Sequence, residues 1–185
     1  MLAMPVTATQ TAPDGHARLG SVDEMARIKD TREPERGTTV RRLREGHIFH
    51  YLLDQGELCS YCWVSRAGSI TEVFFGRRFE VPKTAVYIWD CATFPEHRNR
   101  GHYRTVLNAI LSTEPGISTA YVAVDQLNRI SLRGLESVGF NTCFMYWGIR
   151  LLGRYALCIA LWDGRLLTLN TALARLARHP VNMDV

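Results

Sequence analysis

A β-like run, Val86-Tyr87-Ile88-Trp89-Asp90-Cys91-Ala92-Thr93-Phe94, leads into a basic glycine turn, Arg98-Asn99-Arg100-Gly101-His102-Tyr103. A helical pattern of Val106, Leu107, Ile110 and Leu111 follows, and then a second β-like run, Thr119-Ala120-Tyr121-Val122-Ala123-Val124. Strand, crossover helix and strand in that order predict a local parallel pair, and with it an α/β architecture. The turn carries a second constraint. A helix N-terminus presents unpaired backbone N–H groups and the positive end of the macrodipole, and a glycine there lets backbone close around an anion. Arg98, Arg100 and Arg104 add charge at the same place. The stretch therefore predicts a pyrophosphate cradle; solvated loop arginines are the plainer alternative.

At 185 residues and 46% hydrophobic content the chain suits one globular domain with a real core. Its net charge of +4 is modest and scattered in small groups such as Arg41-Arg42-Leu43-Arg44 and Arg77-Arg78. Nucleic-acid binding calls for a denser basic stripe with aromatic platforms, so a small acidic ligand explains the balance better and no nucleic-acid partner is expected. Five cysteines, an odd number spread through β-like runs, argue against a disulfide framework and for a reducing, cytoplasmic setting. Cys59-x-x-Cys62 and His47-x-x-His50 both resemble metal spacings, but on a strand residues three apart face opposite sides, and neither pair has partners nearby. No metal is expected. No apolar run approaches the roughly 20 residues of a membrane span, and no signal-peptide core is evident.

Along the chain, residues 1–20 read as a flexible tail and 21–185 as a single domain. Ser21 can cap a helix through Met25, Ala26 and Ile28, and a second helix follows Pro34 to about Arg44. Two β-rich runs, 47–53 and 58–64, flank Asp54-Gln55-Gly56-Glu57 and predict an antiparallel hairpin. An apolar segment, 70–75, precedes the strand that ends at Phe94. Beyond the turn, a helix to about Ser112, a turn at Glu114-Pro115-Gly116, the 119–124 strand and a helix from Asn128 to Ser137 lead to a C-capping Gly139. Strands at 143–147 and 155–162, joined through Gly153, and an amphipathic helix at 166–176 close the chain.

Over about Gly46 to Trp162 these residues resemble the GNAT N-acyltransferases. Arg98-x-x-Gly101-x-Tyr103 is similar to the family's acyl-CoA signature, Asn128-x-x-Ser131 stands where its second cofactor helix begins, and Gly134-Leu135-Glu136-Ser137-Val138-Gly139-Phe140 resembles its closing segment. The resemblance implies a mixed, mostly antiparallel sheet flanked by helices, with splayed central parallel strands that admit the pantetheine arm. It implies cofactor contacts at Thr93, Phe94, Arg98, Asn99, Arg100, Gly101, His102, Tyr103, Asn128 and Ser131. The signature's last small residue is replaced by Tyr103, and the tyrosine acid of many members is replaced by Leu135.

Attack on a thioester requires a neutral amine, and an alkylammonium with a pKa near about 10 is almost wholly charged at neutral pH. Asp90, four residues before Phe94, and Glu96 are the candidate bases; Asp90 is equally suited to a structural role, satisfying backbone or pairing with an arginine. His97 and His102 rank behind them, as phosphate contacts or solvated side chains. Tyr103 or a water would protonate the leaving thiolate, or the thiolate would leave unaided. The expected activity is transfer of an acyl group, acetyl foremost, from acetyl-CoA or another acyl-CoA to a small-molecule primary amine such as an amino acid or amino sugar. A long-chain transferase fed by acyl carrier protein, for which Phe74, Phe75, Arg77 and Arg78 are suited, and an inactive acyl-CoA-binding module are the alternatives. A homodimer is compatible with the sequence but not required by it.

Overall fold

A computed structural model describes residues 2–5, 17–19, 36–71, 77–113, 116–151 and 154–178. The helix expected from Ser21, the apolar residues Phe74 and Phe75, the turn residues Glu114 and Pro115, and the Gly153 link lie outside the described residues. The architecture is α/β, a mixed sheet with flanking helices. Two compact units divide it: one takes the described residues within 1–6, 66–87 and 116–185, the other those within 7–65 and 88–115.

The second of these units carries strands β2 (Ala17–Leu19), β3 (Ile48–Asp54), β4 (Glu57–Ser65) and the later part of β7 (Ala85–Thr93), adjacent in that order. The β3–β4 pair is antiparallel, as its sequence predicts, and turns on Gln55 and Gly56, both with positive φ (51° and 86°). Two consecutive left-handed residues give a hairpin turn whose twist matches its strands. Phe49 faces Trp63 and Tyr51 faces Tyr61 across the ladder, and with Leu58 and Phe94 they form an aromatic core. Helix α1 (Arg36–Arg44) contributes Leu43 to it. Helix α2 (His102–Thr113) packs on β3 and β4 and buries Val106, Leu107, Ala109, Ile110 and Leu111. Each of the larger side chains gains roughly 1.5–3 kcal/mol on leaving water.

In the other unit the strand order is β7, β8 (Thr119–Val122), β1 (Leu2–Pro5), β9 (Asn141–Thr142), with β1 antiparallel to both its neighbours. Within the segment expected to be a flexible tail, β1 and β2 are thus strands: their backbone groups pair with β8, β9 and β3 rather than with water. Composition carries little information about such pairing. Two further groups are antiparallel, β5 (Gly68–Thr71) with β6 (Arg78–Val81), and β10 (Met145–Leu151), β11 (Arg154–Trp162) and β12 (Arg165–Thr168). The closing helix begins later than its periodicity predicts. Asp163 and Gly164 (φ 48° and 72°) form a two-residue hairpin, so Arg165–Thr168 is a strand, and α4 spans Leu169–Arg178 with Thr168 Oγ1 accepting the Thr171 N–H. The Asp-Gly pair is the sequence signal for that turn. Helix α3 (Arg129–Glu136) lies in this unit, and no helix of the described residues is long and apolar enough to cross a membrane.

Candidate functional site

The basic turn begins where β7 is tied down. The Phe94 N–H donates to the Cys59 carbonyl of β4 (3.0 Å), and Pro95–His97 form a single 3-10 turn in which the His97 N–H donates to Phe94 O and the Arg98 N–H to Pro95 O. Proline suits the start of such a turn because its missing N–H would go unused. Then come two left-handed residues, Asn99 (φ 63°) and Gly101 (φ 81°), with Arg100 between them. Alternation of this kind aims backbone N–H groups into one concavity, an arrangement suited to anions. Gly101 O accepts the Thr105 N–H (3.0 Å) and Thr105 Oγ1 (3.3 Å), which starts α2 and leaves its first N–H groups at the turn. An added Cβ at Gly101 would meet only Arg104 Nη2 at 4.0 Å, so the backbone angle, rather than space, is what requires glycine.

The side chains around the turn divide between solvent and sheet. Arg98, Asn99 and Arg100 are exposed; Arg98 Nε donates to Thr93 O (3.2 Å), and Arg100 Nη1 is 4.0 Å from Asp54 Oδ2. Thr93 Oγ1 shares a 2.9 Å hydrogen bond with Ser60 Oγ, which also donates to Ala92 O. Tyr103 is turned inward: burial first, then Cys91 and Cys62, push its phenol well above the usual range. The bulky residue of the signature therefore lies near Cys62 of β4 and Cys91 of β7. His97 and His102 are not solvated either. His97 is 7% exposed, with Nε2 3.6 Å from Glu57 Oε2, and His102 Nε2 is 3.9 Å from Asp54 Oδ2.

Upstream on β7, Asp90 has a left-handed backbone (φ 45°), close to where the strand's burial changes from complete to partial. Its carboxylate is ion-paired with Arg42 Nη1, and the Arg42 guanidinium lies over the rings of Trp89 (4.5 Å) and Trp63 (5.1 Å). The arginine pairing is one of the structural roles that the sequence leaves open to Asp90. Arg42 itself is invisible as a motif, yet it has a signal: it follows buried Thr39 by three residues and precedes core-packed Leu43, while Arg41 and Arg44 face water. Tyr61 belongs to the same neighbourhood, its phenol pushed up to about 12 by burial and then by the Asp90 charge. Glu96 is exposed on the 3-10 turn.

Beside Trp89 runs a polar chain: Trp89 Nε1 donates to Ser65 Oγ (2.8 Å), Ser65 Oγ bonds His47 Nδ1 (2.9 Å), and His47 Nε2 is 3.7 Å from Glu45. Burial lowers the His47 pKa from 6.5, with Glu45 opposing and Arg42 and Arg41 assisting. Below 6.5 the unfolded chain then binds the proton more readily than the native one, so stability declines as pH falls through that range. The fall in urea midpoint from neutral to mildly acidic pH is expected to be smaller in His47→Gln than in the wild type.

Asn128 and Ser131 belong to the other unit. Asn128 Oδ1 accepts the Ser131 N–H (3.1 Å) as the N-cap of α3. Leu135 is fully buried, so a core contact occupies the position of the missing tyrosine. After it, the Phe140 N–H returns to Leu135 O (3.1 Å) around left-handed Gly139 (φ 93°), the C-cap that the sequence predicts.

The fold is like that of GNAT acetyltransferases of known structure. Among solved structures the chain is similar to yncA of Salmonella typhimurium, assigned as an acetyltransferase and solved with its cofactor acetyl-CoA, at 17% identity over 85% of this chain and 95% of that one, with a TM-score of 0.54. It is also similar to a ribosomal-protein-alanine N-acetyltransferase from Brucella melitensis biovar Abortus 2308 (13% identity, 74% and 99% coverage, TM-score 0.51). The aminoglycoside acetyltransferase HMB0005 from an uncultured soil metagenomic sample is a third such structure (16%, 75% and 99%, 0.51). No protein-family model and no curated protein matches the sequence.

Proposed function

We propose that the chain is an N-acyltransferase that moves an acyl group, acetyl foremost, from acyl-CoA to a small primary amine by direct attack. The observation that supports this reading is the turn at 98–103, where left-handed Asn99 and Gly101, the α2 N-terminus and two exposed arginines lie together, an arrangement suited to an anion. Arg98, Arg100 and the amides of Asn99, Gly101, His102 and Tyr103 would hold the pyrophosphate. Thr93 and Phe94 would meet the pantetheine, Phe94 through groups other than its N–H, which is committed to Cys59. Asn128 and Ser131 are assigned the second cofactor contact through α3. The fold likeness to named amine acetyltransferases supports an amine acceptor.

Asp90 and Glu96 are the bases in this mechanism, accepting the ammonium proton directly or through a water. Release of Asp90 from Arg42 would accompany acceptor binding, the substrate cation replacing the guanidinium. Tyr61 and Tyr103 are both held protonated at neutral pH, the state required to supply a proton to the departing thiolate. Thiol release from acetyl-CoA over a panel of amino acids, amino sugars and simple amines tests the reading. Turnover is expected with at least one amine class, and Asp90→Asn is expected to lower kcat by more than about tenfold. Cofactor binding with no turnover across the panel would select a binding module, a reading favoured by Leu135 and by the closed Arg42–Asp90 pair. Turnover with acyl carrier protein alone would change the donor and keep the reaction.

A further inference from the structure

Four side chains distant in sequence converge beside the basic turn: Asp54 at the end of β3, Cys59 on β4, His97 in the 3-10 turn and His102 at the start of α2. One ligand atom from each lies within 4.8 Å of all the others. Cys59 and His97 are buried, and Asp54 and His102 partly so. Among the described residues, His97 Nδ1 and His102 Nε2 are both buried atoms without a hydrogen-bond partner. A buried imidazole nitrogen left this way is destabilising, so two in one cluster require a reason. The other contacts are weak or long: Cys59 Sγ donates to Glu57 O (3.3 Å), His102 Nε2 is 3.9 Å and Arg100 Nη1 4.0 Å from Asp54 Oδ2, and His97 Nε2 is 3.6 Å from Glu57 Oε2.

We propose that Asp54, Cys59, His97 and His102 form a binding site for a single divalent transition-metal ion of the zinc class. A thiolate, two imidazoles and one carboxylate make a borderline-soft donor set, which suits zinc and is wrong for calcium or magnesium, whose ligands are oxygens. Four protein donors complete a tetrahedron. Bonds of about 2.0–2.3 Å put tetrahedral ligand atoms roughly 3.3–3.8 Å apart, so side-chain movement of about an ångström closes the cluster onto an ion. No coordination position is left for substrate, which makes the role structural. One thiolate and one carboxylate also balance the ion's charge, so the site adds no net charge to the turn. Burial raises the Cys59 thiol pKa, and loading therefore releases its proton.

The ligands' places say what the ion would do. His97 immediately precedes Arg98 and His102 immediately follows Gly101, so the ion would pin both ends of the basic turn to the β3–β4 hairpin. Engaging Asp54 would also remove the carboxylate that now faces Arg100 and leave that guanidinium for an incoming anion. The site does not depend on which anion the turn holds.

Chelator-treated, full-length protein titrated with Co(II) provides the test. The expected result is one ion per chain, with the intense visible bands of a tetrahedral site and a near-ultraviolet thiolate charge-transfer band. Elemental analysis of protein made in zinc-supplemented medium is expected to find one zinc per chain. Cys59→Ala should abolish the charge-transfer band, and His97→Gln should weaken metal affinity by more than the roughly 10–100-fold that loss of an outer partner costs. Folded wild-type protein that takes up neither ion would overturn the site, whatever the variants do. So would a Co(II) spectrum of octahedral type, or one unchanged in Cys59→Ala.

Discussion

Acetyl-CoA affinity is expected to fall by more than about tenfold when Arg98→Ala and Gly101→Asp are combined, a loss exceeding 1.4 kcal/mol of binding free energy. Two causes act together. Gly101 sits at φ 81°, a backbone state that costs a residue with a Cβ roughly 1–2 kcal/mol, so aspartate drives the turn away from its present form. Its carboxylate also places negative charge at the α2 N-terminus, where phosphate oxygens would otherwise meet the helix dipole. Loss of Arg98 removes both a cation and the 3.2 Å bond that ties the turn to Thr93 O. Calorimetric titration of each single variant and of the pair measures the effect, and circular dichroism checks that α2 persists. An unchanged affinity in the double variant would end the assignment of this turn to the cofactor.

Trp63→Ala is expected to cost about 3–5 kcal/mol of stability, the largest effect of any single truncation proposed for this chain. The side chain is fully buried, with its ring 4.8 Å from Phe49 and 6.1 Å from Trp89, and it forms part of the platform under Arg42. Its Nε1 has no hydrogen-bond partner among the described residues, so Trp63→Phe, which keeps an aromatic and removes the orphaned donor, should cost much less. Urea unfolding of both variants tests this. A loss below about 1 kcal/mol for the alanine variant would mean that the aromatic core of this unit relaxes around the gap.

The parts of the fold legible in the sequence are those governed by local rules. The β3–β4 hairpin announces itself through two β-rich runs and a glycine turn, α2 through its apolar spacing, and α3 through an asparagine cap and Gly139. Where the reading went astray, a non-local partner outweighed local pattern. Leu2–Pro5 and Ala17–Leu19 are strands because neighbouring strands hydrogen-bond to them, and Arg165–Thr168 leaves the helical pattern to pair with β11. The candidate site divides in the same way. Arg98, Asn99, Arg100 and Gly101 are legible because turn chemistry and charge are local. The Arg42–Asp90 pair spans 48 positions, and the proposed ligands at 54, 59, 97 and 102 form no recognisable spacing.

By itself, the sequence determined a strand, a basic glycine turn and a helix start, because φ preferences, helix capping and charge act over a few residues. Tertiary structure alone decided that Asp90 meets Arg42 over two tryptophans, that Tyr103 lies near Cys62 and Cys91, and that two histidines, one buried and one partly so, meet a cysteine and an aspartate. Those meetings depend on strand register and helix docking, which bring together residues that no local pattern connects.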